Sequence, residues 1–348
     1  MTGNRLTLLV PGLLQSPFPL HRLPPGERPE FKSLNLFFNR AKQDVSAGQD
    51  YYASLFQMFG IELDELSTPP IAAITRLADC GESQSEWTLR CDPAYIHADM
   101  DRAVLMGHGG LGLSLEETEQ LLRIVNAHVE QDGWQIEAHT VDRWYVKGAE
   151  KTDITTTAPH TILGQDIKHK LPNGPDASYW RSIMNELQML LHDIPINLAR
   201  QARGLLPVNS LWFWGGGHLP DKGYCPFDKV FTDDPVARGL AIYTGGELKA
   251  TGEVWQEFEH AKGQHLLMVL DRLMAPDIMG DLFAWLDAVK QLEQSVIEKL
   301  IAMLKQKQLT EIYLLDGHGS RFTLTTKQLR HWWKRGKKFS SLLEKADH

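Results

Sequence analysis

Asp316-Gly317-His318-Gly319-Ser320 places a carboxylate and an imidazole one residue apart at the end of the apolar run EIYLL. A strand end splays two such side chains towards one crevice, where they suit metal ligation or acid–base work. A solvated histidine in a tight turn is the plainer reading of the same pair. Asp271, Asp277 and Asp281 come after a second apolar run, HLLMVLD. Carboxylates so grouped suit a divalent ion such as Mn, Mg or Zn. Asp277 is equally placed to cap the helix after it. His160 stands alone in the loop TTTAPHTILGQD, and no G-x-S-x-G nucleophile pattern occurs.

Two glycine clusters compete for a ligand. Gly107-His108-Gly109-Gly110-Leu111-Gly112 fits G-x-G-x-x-G between a strand and a helix. That pattern brings a dinucleotide pyrophosphate to a helix N-terminus and implies an oxidoreductase. Here Leu113 and Ser114 separate the last glycine from the helix, so a glycine-rich turn is the leading reading. Trp212-Phe213-Trp214-Gly215-Gly216-Gly217 ends a buried run. At the carboxyl end of a strand in an α/β sheet, such glycines admit a ligand to the backbone or serve a sharp turn.

The elements that must position these residues can be read from periodicity. RLTLLV (5–10), SLWFW (210–214), HLLMVLD (265–271) and EIYLLDG (311–317) read as buried strands. They alternate with helical patterns and so predict a mostly parallel α/β sheet. WTLRCDPAYIHA, RAVLMG, WQIEAH and RWYVKG read as further strands. Ser114 and Glu117 form a capping box opening a helix with Leu115, Thr118, Leu121, Leu122, Val125 and Val129 on one face. Helices are also predicted within 33–59, after Pro69-Pro70, over 179–192 and over 285–304. Residues 151–177 form a long proline-containing loop.

The 348 residues allow two domains, and 43% hydrophobic with 23% charged residues is ordinary globular composition. Lys and Arg number 36 against 44 Asp and Glu, a net charge of −8 that disfavours nucleic acid as the partner. The basic stretch Lys327–Lys338, with Trp332 and Trp333, therefore reads as a solvated helix face. No apolar stretch is long enough to span a bilayer, and the N-terminus reads as a strand, not a leader. Three cysteines without a CxxC pair fit a reducing, cytoplasmic setting.

Three stretches carry a resemblance: LRCDPAYIHADMDRAVLMGHGGLGLSLEETEQLL, TAPHTILGQDIKHKLPNGPDA and ELQMLLHDIPINLARQARGLLPVNSLWFWGGG. Together with the series Asn197, Arg200, Gly204, Pro207, Asn209 and Trp214, they resemble the archaeal-type cofactor-independent phosphoglycerate mutases of the alkaline phosphatase superfamily. Within these, the bacterial RpfE-type regulatory branch is most similar. The resemblance implies an α/β, alkaline-phosphatase-like core with helices on both faces of a mostly parallel sheet. That core takes residues 1–86 and 182–348, with a smaller α+β domain inserted at 87–181.

The resemblance also implies a two-metal site. The family opens with a strand and then a metal-ligating Asp-Gly; here Pro11-Gly12 occupies that place. Its Gly-Ser-Asp nucleophile has no counterpart. Asp277-Ile-Met-Gly280-Asp281 matches its Asp-Glu-x-Gly-His, and Asp316 with His318 its later Asp-His pair. These departures imply a degenerate site in a non-catalytic regulatory or ligand-binding protein. It would hold a phosphorylated small molecule near Gly215, Gly216, Gly217 and Asp316–His318, with Arg200, Asn209 and His160 as further ligand-binding candidates. An active metal-dependent mutase or phosphatase, rebuilt around Asp271, Asp277, Asp281, Asp316 and His318, is the alternative.

Overall fold

The computed structural model describes residues 3–24, 26–45, 50–63, 68–81, 86–99, 102–148, 152–221, 223–260, 263–330 and 338–343. In chain order the elements begin β1 (Asn4–Leu9), α1 (Lys32–Arg40), β2 (Lys42–Val45) and α2 (Tyr51–Met58). Then come α3 (Ile71–Cys80), β3 (Thr88–Asp99), β4 (Arg102–His108), α4 (Leu115–Val129), β5 (Gln135–Thr140) and β6 (Arg143–Lys147). After these lie α5 (Ala177–Leu191), α6 (Pro195–Ala202), β7 (Ser210–Gly217), β8 (Lys229–Thr232), α7 (Pro235–Tyr243) and β9 (Glu247–Lys249). The chain continues with α8 (Val254–His260), β10 (His265–Val269), α9 (Met274–Ile278), α10 (Leu282–Leu292) and α11 (Glu298–Lys305). It closes with β11 (Leu309–Leu315), β12 (Ser320–Thr325), α12 (Thr326–Leu329) and α13 (Phe339–Leu343). Trp332, Trp333 and most of the basic stretch around them lie outside the described residues.

Two compact units result: residues 1–62 with 222–348, and residues 63–221. In the first, a seven-stranded sheet runs β2-β12-β11-β1-β10-β8-β9. The run from β11 to β9 is parallel, and β12 and β2 extend it antiparallel. The central strands are near-continuous apolar runs because both sheet faces are covered. Leu6, Leu8, Leu266 and Met268 point into one core with Phe37, Trp285 and Leu300, while Leu9 and Leu267 of the opposite face are equally buried. This is the α/β architecture that the run lengths predict.

The second unit carries an antiparallel sheet, β4-β3-β6-β5, with β7 also paired to β3. Here two expectations fail. SLWFW is β7 of this sheet, Cys91 opposite Phe213 and Asp92 opposite Trp212, and not a strand of the parallel one. A buried run does not reveal which sheet will bury it. The unit is also wider than 87–181. Helix α3 belongs to it because Arg76 pairs with Glu137, and Asp79 accepts from the guanidinium of Arg143 and the hydroxyl of Tyr145. Among the described residues, no helix is long and apolar enough to cross a membrane.

The segment 285–304, expected as one helix, contains a π-helical turn at Glu293–Ile297 between α10 and α11. Such turns re-aim side chains. This one presents Glu293, whose Oε1 accepts from the amides of Ser33 at 2.6 Å and Leu34 at 3.1 Å. Helix α1 has no side-chain cap from its own N-cap residue, Phe31. A carboxylate roughly 260 residues away therefore satisfies its first-turn amides. Glu293→Ala, leaving two inward N–H groups unpaired, is expected to cost about 1–3 kcal/mol and lower Tm by several degrees. Glu293→Gln, whose amide oxygen still accepts, is expected to recover most of the loss in the same thermal unfolding experiment.

Candidate functional site

The carboxyl ends of the parallel strands are where an open α/β sheet places its chemistry. In the first unit these ends carry Pro11, Asp233, Asp234, Asp271 and Asp316. Asp234 is the N-cap of α7: its Oδ1 accepts from Ala237 at 2.6 Å, and its own amide donates to Thr232 Oγ1 at 3.0 Å. It is buried, and desolvation, with Asp271 adding its charge, pushes its carboxyl up to about 7. Burial and neighbouring Asp233 raise Asp271 as well. The phenol of Tyr51, buried with no well-formed hydrogen bond, lies within the influence of both Asp234 and Asp271, and burial raises it further. Asp233 and Asp271 line a cavity of about 110 Å³ floored by Val269 and Leu292.

The five residues expected as a metal set do not assemble. Asp281 caps α10, its Oδ1 accepting from Ala284 at 3.0 Å; the cap is Asp281, not Asp277. Asp316 Oδ1 accepts from the amides of His318 at 2.8 Å and Ser320 at 2.9 Å, closing the Asp-Gly-His-Gly turn on itself. His318 is left exposed. Asp277 is raised to about 7 by burial alone, with no charged neighbour contributing. Among the described residues, no three His, Cys, Asp or Glu side chains lie together as a cation's ligands would. The donor set does not fit a divalent ion, because its members do not converge on one point.

In the second unit, Arg200 and Asn209 hold the fold together. Arg200 is 0% exposed. Its guanidinium donates to Leu206 O, Leu111 O and Glu117 Oε2 at 2.9, 2.5 and 2.8 Å. Glu117 is also the N3 member of the capping box predicted for α4, which the structure contains. Asn209 accepts from the Ile96 amide and donates to the Ile96 carbonyl, holding β7 to β3.

The glycines are packed rather than open. A Cβ on Gly215 would come within 2.9 Å of Ile71, on Gly216 within 2.7 Å of Trp87, and on Gly217 within 2.6 Å of Pro70. Gly215 also has φ of +66°, so its turn needs glycine twice over. The ligand cradle expected there is the seat of β7 on α3. These glycines lie in the second unit and Asp316–His318 in the first. The pattern at Gly107–Gly112 begins in the last two residues of β4 of an antiparallel sheet, so it opens no βαβ unit to present a dinucleotide.

What the second unit does assemble is a buried polar knot around Trp214. Arg90 meets Asp92 through two hydrogen bonds of 3.0 and 2.7 Å, and Trp214 Nε1 donates to Asp92 at 2.7 Å. The rings of His108 and His160 stand edge-on to Trp214 at 6.4 and 6.2 Å. Burial pulls His108 down to about 4, so its ring is neutral at pH 7. Of these residues, only His160 stands out in the sequence as a candidate in its own right. Sequence reasoning misses Asp234 too, although Asp-Pro at 234–235 is a cap with a first-turn proline behind it.

Residues 78–197 match the family model of 2,3-bisphosphoglycerate-independent phosphoglycerate mutase. That stretch is similar to phosphoglycerate mutases. The enzyme of that name from Methanothrix thermoacetophila is 41% identical over 194 residues, covering 50% of this chain and 49% of the relative. A probable mutase from Geobacter sulfurreducens is 39% identical over 118 residues, or 31% and 30% of the two chains. The chain spans about half the length, or less, of the curated relatives it matches. Two solved structures share the fold. The cofactor-independent phosphoglycerate mutase of Thermoplasma acidophilum superposes with TM-score 0.50 at 15% identity, covering 98% of this chain and 95% of that one. A protein of Pyrococcus horikoshii gives 0.56 at 13%, covering 98% and 92%.

The raised carboxyls give the chain a pH signature. Asp234 and Asp277 keep their protons to about pH 7 when folded, whereas in the unfolded chain they release them near pH 4. Between these values the folded state binds more protons, so this contribution favours folding at the acid end and is lost as pH rises. Asp234→Asn retains a cap but cannot ionise. Relative to the variant, wild-type stability, read as Tm, is expected to fall steadily from about pH 4 to 7 and then level off, by about 4 kcal/mol at most. Parallel Tm-versus-pH curves for the two proteins would refute the assignment.

Proposed function

We propose that this phosphoglycerate mutase-like chain has lost mutase catalysis and acts as a regulatory, ligand-binding protein for a phosphorylated small molecule. The observation that carries this reading is what the strand-end acids are doing. Proline comes after β1 and Val10, Asp316 closes its own turn, and Asp281 caps α10. An oxygen bonded to backbone N–H groups is already satisfied, and releasing it leaves those groups unpaired at about 1–3 kcal/mol each. The ligand class is drawn from the relatives, which are named for phosphoglycerate.

One observation favours a second reading, an active phosphomutase or phosphatase with a rebuilt site. Asp234, Asp271 and Tyr51 put titratable groups of different acidity together at strand ends, an arrangement typical of acid–base machinery.

The full chain should be incubated with 3-phosphoglycerate and, separately, with manganese, magnesium, zinc or cobalt added. The formation of 2-phosphoglycerate is then monitored beside an Asp234→Asn preparation from the same host. The expected result is no turnover above that variant, together with a saturable rise in Tm. A ligand at a hundred times its Kd contributes about 2.7 kcal/mol, a shift of several degrees. Metal-dependent turnover abolished by Asp234→Asn would replace the first reading with the second. Neither turnover nor a shift would overturn both.

A further inference from the structure

Within the second unit, a cavity of about 360 Å³ opens between the far end of β3, the start of β4, the loop 166–171 and helix α5. Its size is that of a small-molecule pocket. Ser210, the first residue of β7, lines it and is 1% exposed, yet its hydroxyl has no hydrogen-bond partner. A buried hydroxyl pairs with protein, water or a ligand. The residue that carries this one lines the cavity wall.

The lining carries three cations, Arg102, Lys168 and Arg181, against two carboxylates, Asp99 and Asp166, and Arg102 lies 4.0 Å from Asp99. Arg181 is held in place by its Nε donating to Pro172 O at 2.9 Å, which leaves the two terminal nitrogens of the fork unused. Lys168 also lines the cavity and enters no ion pair among the described residues. Asp166, its acidic neighbour, has Oδ1 accepting from the Lys168 amide at 3.0 Å, so that oxygen is engaged in a local turn. The amides of Asn185 and Gln188 add neutral donors along α5. The floor is apolar: Ile167 is buried at 6% and Met184 at 5% exposure.

We infer that this cavity binds a small organic anion, a carboxylate or phosphomonoester head on a compact apolar body. The head is held between the Arg181 fork and Lys168, with the amides of Asn185 and Gln188 beside it, while the body lies on Ile167 and Met184. A planar fork with two free nitrogens suits a two-oxygen head group better than a point charge does. The strand-end acids of the first unit play no part, so this inference goes beyond the function proposed above and stands or falls separately.

The probes are benzoate, phenyl phosphate and neutral benzyl alcohol, titrated into the full chain by ligand-detected NMR. Both anions are expected to bind saturably and benzyl alcohol at least about tenfold more weakly, since charge-assisted bonds carry the affinity. Arg181→Gln and Lys168→Gln are each expected to weaken the anions about tenfold, Lys168→Gln with an unchanged melting curve and Arg181→Gln with a small fall in Tm from the lost bond to Pro172 O. Gln188→Trp, filling the cavity, should abolish binding of both. Arg123→Gln, an exposed cation on α4 outside the cavity, is the charge-matched control and should change nothing. Benzoate favoured over phenyl phosphate would assign a carboxylate head, and the reverse a phosphate. The inference is overturned by no saturable binding at millimolar probe, by equal binding of benzyl alcohol, or by equal losses in Arg123→Gln and Arg181→Gln.

Discussion

The second unit is organised around a carboxylate that has no access to water. Asp92 is 0% exposed, and a charge so placed is tolerated only when its oxygens are fully engaged. Its partners come from three strands. Arg90, two residues away on β3, gives a two-pronged ion pair; the indole of Trp214 donates from β7; and the backbone of Trp144 donates from β6 at 3.4 Å. The Arg90 guanidinium lies 4.8 Å from the centre of the Trp214 ring and 5.9 Å from that of Tyr145, so its faces are covered by aromatic rings. Slipping any of these strands by one residue would turn its partner to the other face and strand a buried charge. The pair thus fixes register where apolar packing alone would tolerate alternatives.

The first unit applies the same rule to helix ends. Every helix begins with amides that have no partner within it. Here carboxylates answer several of them: Asp50 for α2, Asp234 for α7, Asp281 for α10, and Glu293 from a distance for α1. Acids gathered near strand ends are what a metal site looks like in sequence. They are equally what a parallel sheet with crossover helices requires, because each strand end leads to a helix start. Residue type and spacing do not separate the two demands. Hydrogen-bond partners do.

That ambiguity explains what the sequence disclosed. The strand runs at 5–10, 265–271 and 311–317 were legible because a fully buried strand must be apolar on both faces, and the capping box at Ser114 and Glu117 because it is local chemistry. Leu115, placed on the buried face of that helix, is instead 74% exposed, since the first turn precedes the packed stripe. The sheet to which SLWFW belongs depends on pairing with residues more than a hundred positions away, which periodicity does not encode. The π-helical turn at Glu293 and the wider extent of the second unit are likewise tertiary. Asp234 is hard to read because no long apolar run leads to it: β8 is only four residues long.

The series Asn197, Arg200, Asn209 and Trp214, which carries much of the resemblance to the mutases, turns out to be a set of clamps. Asn197 donates to Leu191 O and Val208 O and accepts from the Val208 amide; Arg200 holds two further carbonyls; Asn209 pairs both ways with Ile96; Trp214 holds Asp92. Each residue closes a turn or a strand junction that would otherwise leave buried polar groups unpaired. A spacing set by such clamps is a spacing set by architecture, and it persists whether or not the protein turns over a substrate. The resemblance that this series carries therefore speaks to how this unit is built. The strand ends of the other unit pose a separate question, since there burial raises the carboxyls of both Asp234 and Asp271.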